Sequence, residues 1–202
     1  MRTIRSIDHA RAHDGALLVI DIVGSTAHLR QLGDWAYLRV IEAFERLIEA
    51  VELRHGSVGS DHTGDGYIVV FPGVGEALEA AEDVFARAAR LEAGGDPHPL
   101  LLRAGLHKGE IILRERRLVG LVVYEAYELG NGAGIDELWL SAAARPDVRI
   151  PGLPAAEMRE LPRSGRAEVT VLRPGRWGRR GLSLAETKAA HGLGSASSSS
   201  RP

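Results

Sequence analysis

Ala16 to Ile22 is a continuous aliphatic run interrupted by one carboxylate, Asp21. A run this short and this rich in branched side chains predicts a buried strand. Downstream, Leu38, Ile41, Phe44, Leu47, Ile48 and Val51 recur at helical spacing, predicting an amphipathic helix that stops at Gly56. Residues 56–71, GSVGSDHTGDGYIVVF, read as strand, tight turn and strand with Gly64-Asp65-Gly66 at the tip. A second long helix is predicted over VGEALEAAEDVFARAARLEA, ending before the loop GGDPHP. LLLRAGLHKGEIIL is strand material with a small-residue break in its middle. LVVYEAYELGNGAG begins a short helix, and DELWLS and AEVTVLR read as further strands. The order strand–helix–hairpin–helix–strand predicts an α+β sandwich, with helices covering a mainly antiparallel sheet.

Composition narrows this picture only at its ends. The chain of 202 residues is long enough for one domain with a full core. Residues 1–13 are a polar lead-in, residues 14–174 the folded domain, and residues 175–202 an arginine-, glycine- and serine-rich tail expected to be disordered. A net charge of −2 argues against a nucleic-acid partner. With no cysteine there are no disulfides, thiolate metal sites or cysteine nucleophiles. No apolar run reaches membrane-spanning length, and the first residues lack a secretory core, so a cytoplasmic protein is expected.

The chemistry starts with two aspartates. Asp21 ends the first strand and Asp65 sits on the hairpin turn. If the strand lies beside the hairpin, both carboxylates emerge at one edge of the sheet, where they repel unless a cation lies between them. Mg²⁺ takes few protein carboxylates and fills its remaining positions with water and phosphate oxygens. Gly24-Ser25-Thr26 opens the next helix, whose free N–H groups suit phosphate. Each piece also has an ordinary reading, since Asp caps turns and Gly-Asp-Gly is a common one.

LLVIDIVGST, then Gly33-Asp34, HTGDGYIVVF and RAGLHKGEI, in this order, resemble the catalytic domain of class III nucleotide cyclases over about residues 14–174. The resemblance implies a ferredoxin-like, cyclase-type sandwich that dimerises head to tail. It implies attack of the ribose 3′-oxygen of ATP or GTP on the α-phosphorus, with loss of pyrophosphate. Asp21 and Asp65 match the family's metal-binding aspartates, for Mg²⁺ or Mn²⁺. The backbone of Ile22, Val23, Gly24, Ser25 and Thr26 matches its triphosphate cradle, and Arg103 matches an arginine that reaches the phosphates.

The match fails in the half that the family takes from the second subunit. A helix there supplies an asparagine that orients the ribose and an arginine that stabilises the transition state. In GLVVYEAYEL the frame is kept by Gly120, Val123 and Ala126, but Tyr124 and Glu128 occupy those two positions. Glu128 is expected to put negative charge where phosphoryl charge develops. On the sequence alone, Tyr124→Asn with Glu128→Arg is the natural repair. The base-selecting positions hold Asp61 and Arg117, with charges exchanged relative to an adenine reader; an ordinary surface pair is the simpler reading. Arg163 or Arg166 is the candidate for a late phosphate-binding residue.

Other features weigh less. His9 and His13 have helical metal-ligand spacing but no third ligand. His62 and His107 read as structural, and the Arg114, Arg116 and Arg117 run as a solvated hairpin arm. Arg176, Arg179 and Arg180 can meet an acidic partner. The reading that follows is a cyclase homology domain binding metal–nucleoside triphosphate with weak or no turnover alone. It would form a homodimer, or a heterodimer with another cyclase-like chain. The alternatives are an active cyclase and a ligand-free dimerisation module.

Overall fold

The computed structural model describes residues 10–93, 100–114 and 117–173. The elements are β1 (Ala10–Ile22), α1 (Ser25–Leu32), α2 (Asp34–His55), β2 (Gly59–His62), β3 (Gly66–Phe71), α3 (Val74–Ala93), β4 (Leu102–Arg114), β5 (Arg117–Val119), α4 (Leu121–Gly132), β6 (Leu138–Ser141), β7 (Glu157–Leu161) and β8 (Gly165–Leu172). The strands form one sheet in the order β2-β3-β1-β4-β6-β8-β7, with β5 hairpinned onto β4. Every pairing is antiparallel except β4 with β6. The α+β sandwich expected from the hydrophobic pattern is the fold observed. Among the described residues no helix is long and apolar enough to cross a membrane.

Alternation along β1 divides the core. Leu18, Ile20 and Ile22 pack with Phe44, Ile48, Leu78 and Val84 of α2 and α3. Leu17 and Val19 point the other way and pack with Val122 and Ala126 of α4. Asp21, in step with Leu17 and Val19, therefore belongs to the α4 face.

Several details differ from the sequence reading. The helical stretch after β1 is two helices, because Gly33 at φ 73° ends α1 with its N–H on Leu29 O. β1 begins at Ala10, so residues 10–13 of the supposed lead-in pair with residues 111–114 of β4. His13 thus lies on a strand, which removes the helical spacing to His9; His9 and the tail from residue 174, with Arg176, Arg179 and Arg180, lie outside the described residues. β7 carried no sequence signal because it is a polar edge strand, EMREL, with Met158 exposed.

The small-residue break in β4 is no break: the strand runs through it. A Cβ on Gly105 would lie 2.3 Å from Gly130 N and 2.7 Å from Leu129 Cβ, and one on Gly130 would lie 2.8 Å from Val19 Cγ1. The glycines let the backbone of α4 lie directly on β4 and β1. Gly105→Ala therefore meets backbone that cannot move aside, and is expected to lower stability by about 3 kcal/mol. Gly75→Ala, in α3 with open space around its Cβ, is expected to raise stability by about 0.5 kcal/mol. Denaturant unfolding of both variants checks the pair.

Candidate functional site

The sheet register builds the site. Asp21 pairs with Gly66 of β3 on one side and with Arg103 of β4 on the other. The hairpin turn is closed by Thr63 N on Gly66 O at 2.9 Å, with Gly64 at φ 84°. Ile22 N then donates to Asp65 O at 3.2 Å, which ties the turn to the end of β1. Asp21 and Asp65 are thereby held at one corner of the sheet. Gly66 leaves room beside them, since a Cβ there would lie 3.2 Å from Asp21 Oδ1 and 3.3 Å from Ile20 O and would press on both.

Arg103 grips Asp21. Its Nε and Nη2 donate to Oδ2 at 2.8 and 2.6 Å, while Nη1 donates to Asn131 O at 2.7 Å and Nη2 also to Asn131 Oδ1 at 3.2 Å. One guanidinium thus links the first aspartate to the last turn of α4. Burial pushes the Asp21 carboxyl above its ordinary pKa; the bond and charge of Arg103 oppose this, the charge of Asp65 adds to it, and the Ile22 amide opposes it. The net rise reports a carboxylate whose anionic form is under-compensated, which a dication beside Asp65 would correct. Ser25 Oγ donates to Asp65 Oδ2, so the first residue of α1 orients the second aspartate.

Two tyrosines join the corner. Burial raises the Tyr37 hydroxyl pKa, as do the charges of Asp65 and Asp21, against a hydrogen bond with Ser25. Burial likewise raises that of Tyr127, against a bond with Thr63, with Asp61 and Asp21 adding. Neither tyrosine, nor Asn131, stands out in the sequence, because each is one polar position on a helix whose rotation is fixed only by packing.

The structure narrows the phosphate cradle. The amide of Ile22 is engaged by Asp65 O, and that of Val23 by Leu101 O at 2.8 Å, so these two amides are not available to phosphate. The amides of Gly24, Ser25 and Thr26 make no backbone hydrogen bond among the described residues. Gly24 takes the left-handed conformation that starts α1, φ 73° and ψ 19°. A cavity of about 380 Å³ opens there, lined by Ser25, Thr26, Leu29, Tyr37, Gly64 and Asp65. Asp65 is its one lining carboxylate, with Asp21 close enough to feel the Asp65 charge; two carboxylates beside helix-start amides suit a hard dication carrying phosphate oxygens. Among the described residues no group of three or more His, Asp or Glu is gathered for a metal.

The remaining candidates lie elsewhere. Asp61 accepts from His62 N at 2.9 Å on β2, which packs near β5 and the exposed Arg117; no ion pair joins the two among the described residues. Tyr124 is 40% exposed and its hydroxyl meets Ser164 Oγ at 3.3 Å. Glu128 departs from expectation. It is only 3% exposed, and its Oε2 accepts from Arg163 N at 2.7 Å, Ser164 N at 2.9 Å and Ser164 Oγ at 3.1 Å. It fastens α4 to the β7–β8 turn within its own chain. Arg163 contributes its amide to this clasp, and Arg166 lies 3.7 Å from Glu160. His62 rests against Tyr67, and His107 Nε2 lies 3.0 Å from Glu125 Oε2.

No family model matches the sequence, and no curated protein does. Solved structures do match in fold. The guanylyl cyclase Cya2 superposes with a TM-score of 0.69 at 16% identity, over 81% of this chain and 92% of that one. The catalytic core of a rhodopsin-guanylyl cyclase with converted specificity, in complex with ATPαS, gives 0.67 at 16% identity, over 80% and 97%. The adenylyl cyclase CyaB from P. aeruginosa gives 0.60 at 18% identity, over 81% and 95%. The chain has the fold of the class III adenylyl and guanylyl cyclase catalytic domains.

Proposed function

We propose that this chain is a class III cyclase homology domain that binds a divalent metal–nucleoside triphosphate and, alone, turns it over weakly or not at all. The observation that carries the first half is the corner of Asp21 and Asp65, held by strand register beside the free amides that open α1. Mg²⁺ or Mn²⁺ suits two aspartate oxygens, and ATP or GTP suits the cradle; structures of similar fold hold ATPαS and GTP. The metal, when bound, offsets phosphate charge and activates the 3′-hydroxyl. Asp21 and Asp65 would hold it, with Ser25 orienting Asp65 and Arg103 fixing the Asp21 carboxylate, and the amides of Gly24 to Thr26 would bind phosphate oxygens.

The second half rests on Tyr124 and Glu128. A side chain that stabilises phosphoryl charge across a dimer has to project from α4 as a cation. Here that position holds a buried anion committed to the β7–β8 turn. Removal of one transition-state donor commonly costs about 100- to 1000-fold in rate, and two are missing. A homodimer would contain two such incomplete sites. A heterodimer is favoured as a second reading by the separation of the intact half, on β1, β3 and α1, from the altered half on α4. Lack of cysteine fits a cytoplasmic setting.

Calorimetry with ATP and GTP in Mg²⁺ or Mn²⁺ is expected to give saturable binding that Asp21→Ala and Asp65→Ala each weaken at least about tenfold. Equal binding by all three proteins, or none by the wild type, would contradict the metal–nucleotide assignment and favour the dimerisation module. Product analysis with all four nucleoside triphosphates is expected to show less than about 1% of the turnover of an intact cyclase; robust cyclic product abolished by Asp21→Ala would establish the active-enzyme alternative.

The apparent repair is expected to fail for a structural reason. Glu128→Arg removes the acceptor of two turn amides and buries a cation against them, at a cost of about 3–5 kcal/mol. Tyr124→Asn with Glu128→Arg should therefore lower the unfolding midpoint without restoring turnover. An unchanged midpoint would show that the clasp contributes little.

A further inference from the structure

β8 ends at the sheet edge that carries Asp21. Leu172 is in register with Leu138 of β6, Leu138 with Ala104 of β4, and Ala104 with Ile20 of β1. One residue further out, the row continues as Arg173, Glu137, Arg103 and Asp21, and ion pairs join Arg173 to Glu137 and Arg103 to Asp21. Two further carboxylates stand at this edge. Asp65 lies near enough to Asp21 for their charges to interact, and Asp136, whose N–H donates to Leu102 O at 2.8 Å, sits beside the start of β4. The Asp136 residue is exposed, and no described residue forms an ion pair with it. Asp21, Asp65, Asp136 and Glu137 thus face only Arg103 and Arg173, and the edge is short of positive charge.

The sequence that follows carries the missing charge. Past Arg173 it reads Pro174-Gly175-Arg176-Trp177-Gly178-Arg179-Arg180, with three arginines and no carboxylate. Its reach is sufficient. Neighbouring strands lie about 4.8 Å apart, so Asp21 on β1 is about 14 Å from Arg173 on β8, and the β3 hairpin about 19 Å. An extended chain covers about 3.3 Å per residue, so Arg179 and Arg180 can extend about 20 Å from Arg173. Arg176 reaches Asp136 on the way, and Ile135, 50% exposed, offers Trp177 an apolar seat. We propose that residues 174–180 dock back along this edge as a built-in counter-cation, Arg176 on Asp136 and Arg179 and Arg180 on Asp21 and Asp65, and that a divalent ion has to displace them. Exposed ion pairs are individually weak, so the docking is shallow and readily reversed. The competition rests on the metal reading of Asp21 and Asp65 given above; the docking itself does not.

The test compares the full chain with a triple variant, Arg176→Gln, Arg179→Gln and Arg180→Gln, at low salt and without nucleotide. In metal-free protein the amide NMR signals of Asp21, Gly66, Arg103 and Asp136 are expected to differ between the two. A peptide of residues 174–182 should return them saturably toward the wild-type positions at millimolar concentration, the order of effective concentration that a short tether supplies. The same peptide with glutamine for arginine should not. Mn²⁺ titration, read from the EPR signal of the free ion, is expected to show about three- to tenfold tighter binding to the triple variant, because the metal no longer shares the corner. The arginine peptide should reverse that gain, and about 1 M salt should abolish the difference. Asp136→Asn should weaken the peptide about threefold and leave the Mn²⁺ affinity of the triple variant unchanged. Amide signals that do not differ, no saturable return with the peptide, or equal Mn²⁺ affinity in the two proteins overturns the proposal. If neither protein binds Mn²⁺ while the peptide returns the signals, the docking stands and the metal assignment falls. If both bind Mn²⁺ equally, the metal assignment stands and the docking falls.

Discussion

The close approach of α4 to the sheet at Gly105 and Gly130 sets the rest of the structure. Two backbones meet with no side chain between them, and a Cβ on Gly105 would come within 2.3 Å of Gly130 N. At that depth, successive turns of one helix reach three separate places. Tyr127 meets Thr63 on the β2–β3 hairpin, Asn131 meets Arg103 beside Asp21, and Glu128 meets the β7–β8 turn. A helix lifted by even one methyl group would loosen all three, since interiors are packed too tightly to absorb the shift.

Electrostatics then divides the domain into two halves of different character. At the β1–β3 corner, two carboxylates converge, partly compensated by Arg103 and by amides at the start of α1. The residual excess of negative charge is what a divalent metal ion would offset. On α4, the anion Glu128 is instead satisfied on one oxygen by its own chain. On the proposed reading, the effect on transition-state chemistry would be the loss of a projecting cation, and only secondarily repulsion from a displayed carboxylate.

The fold was largely legible because its signals are local and periodic. The β1 run, the α2 and α3 stripes and the Gly-Asp-Gly turn each follow from spacing alone. What was not legible depends on long-range contact. Gly33 splits a helix whose apolar pattern runs on, and β7 has the composition of solvent-facing chain because it is an edge. At the site, Asp21, Asp65 and Ser25 were readable because strand ends and turns fix their direction. Tyr37, Tyr127 and Asn131 were not, since nothing in a helical sequence says which polar position will face the sheet. Glu128 was legible as a departure but not as a clasp, because its partners lie 35 and 36 residues away in a turn with no distinctive sequence. The motif puts Ile22 and Val23 in the cradle, whereas their amides serve the backbone of neighbouring segments.

The central claim is that one half-site is competent and the other is not, and a mixed dimer separates them. The chain is co-purified with a cyclase lacking its own metal aspartates but retaining its asparagine and arginine, and separately with one lacking the asparagine and arginine but retaining the aspartates. Metal positioning and transition-state stabilisation are separable contributions, so complementary halves suffice for turnover. The account predicts cyclic nucleotide from the first pair, lost on Asp65→Ala in this chain, and none from the second. Stable mixed dimers that are silent in the first pairing, or active in the second, would contradict it.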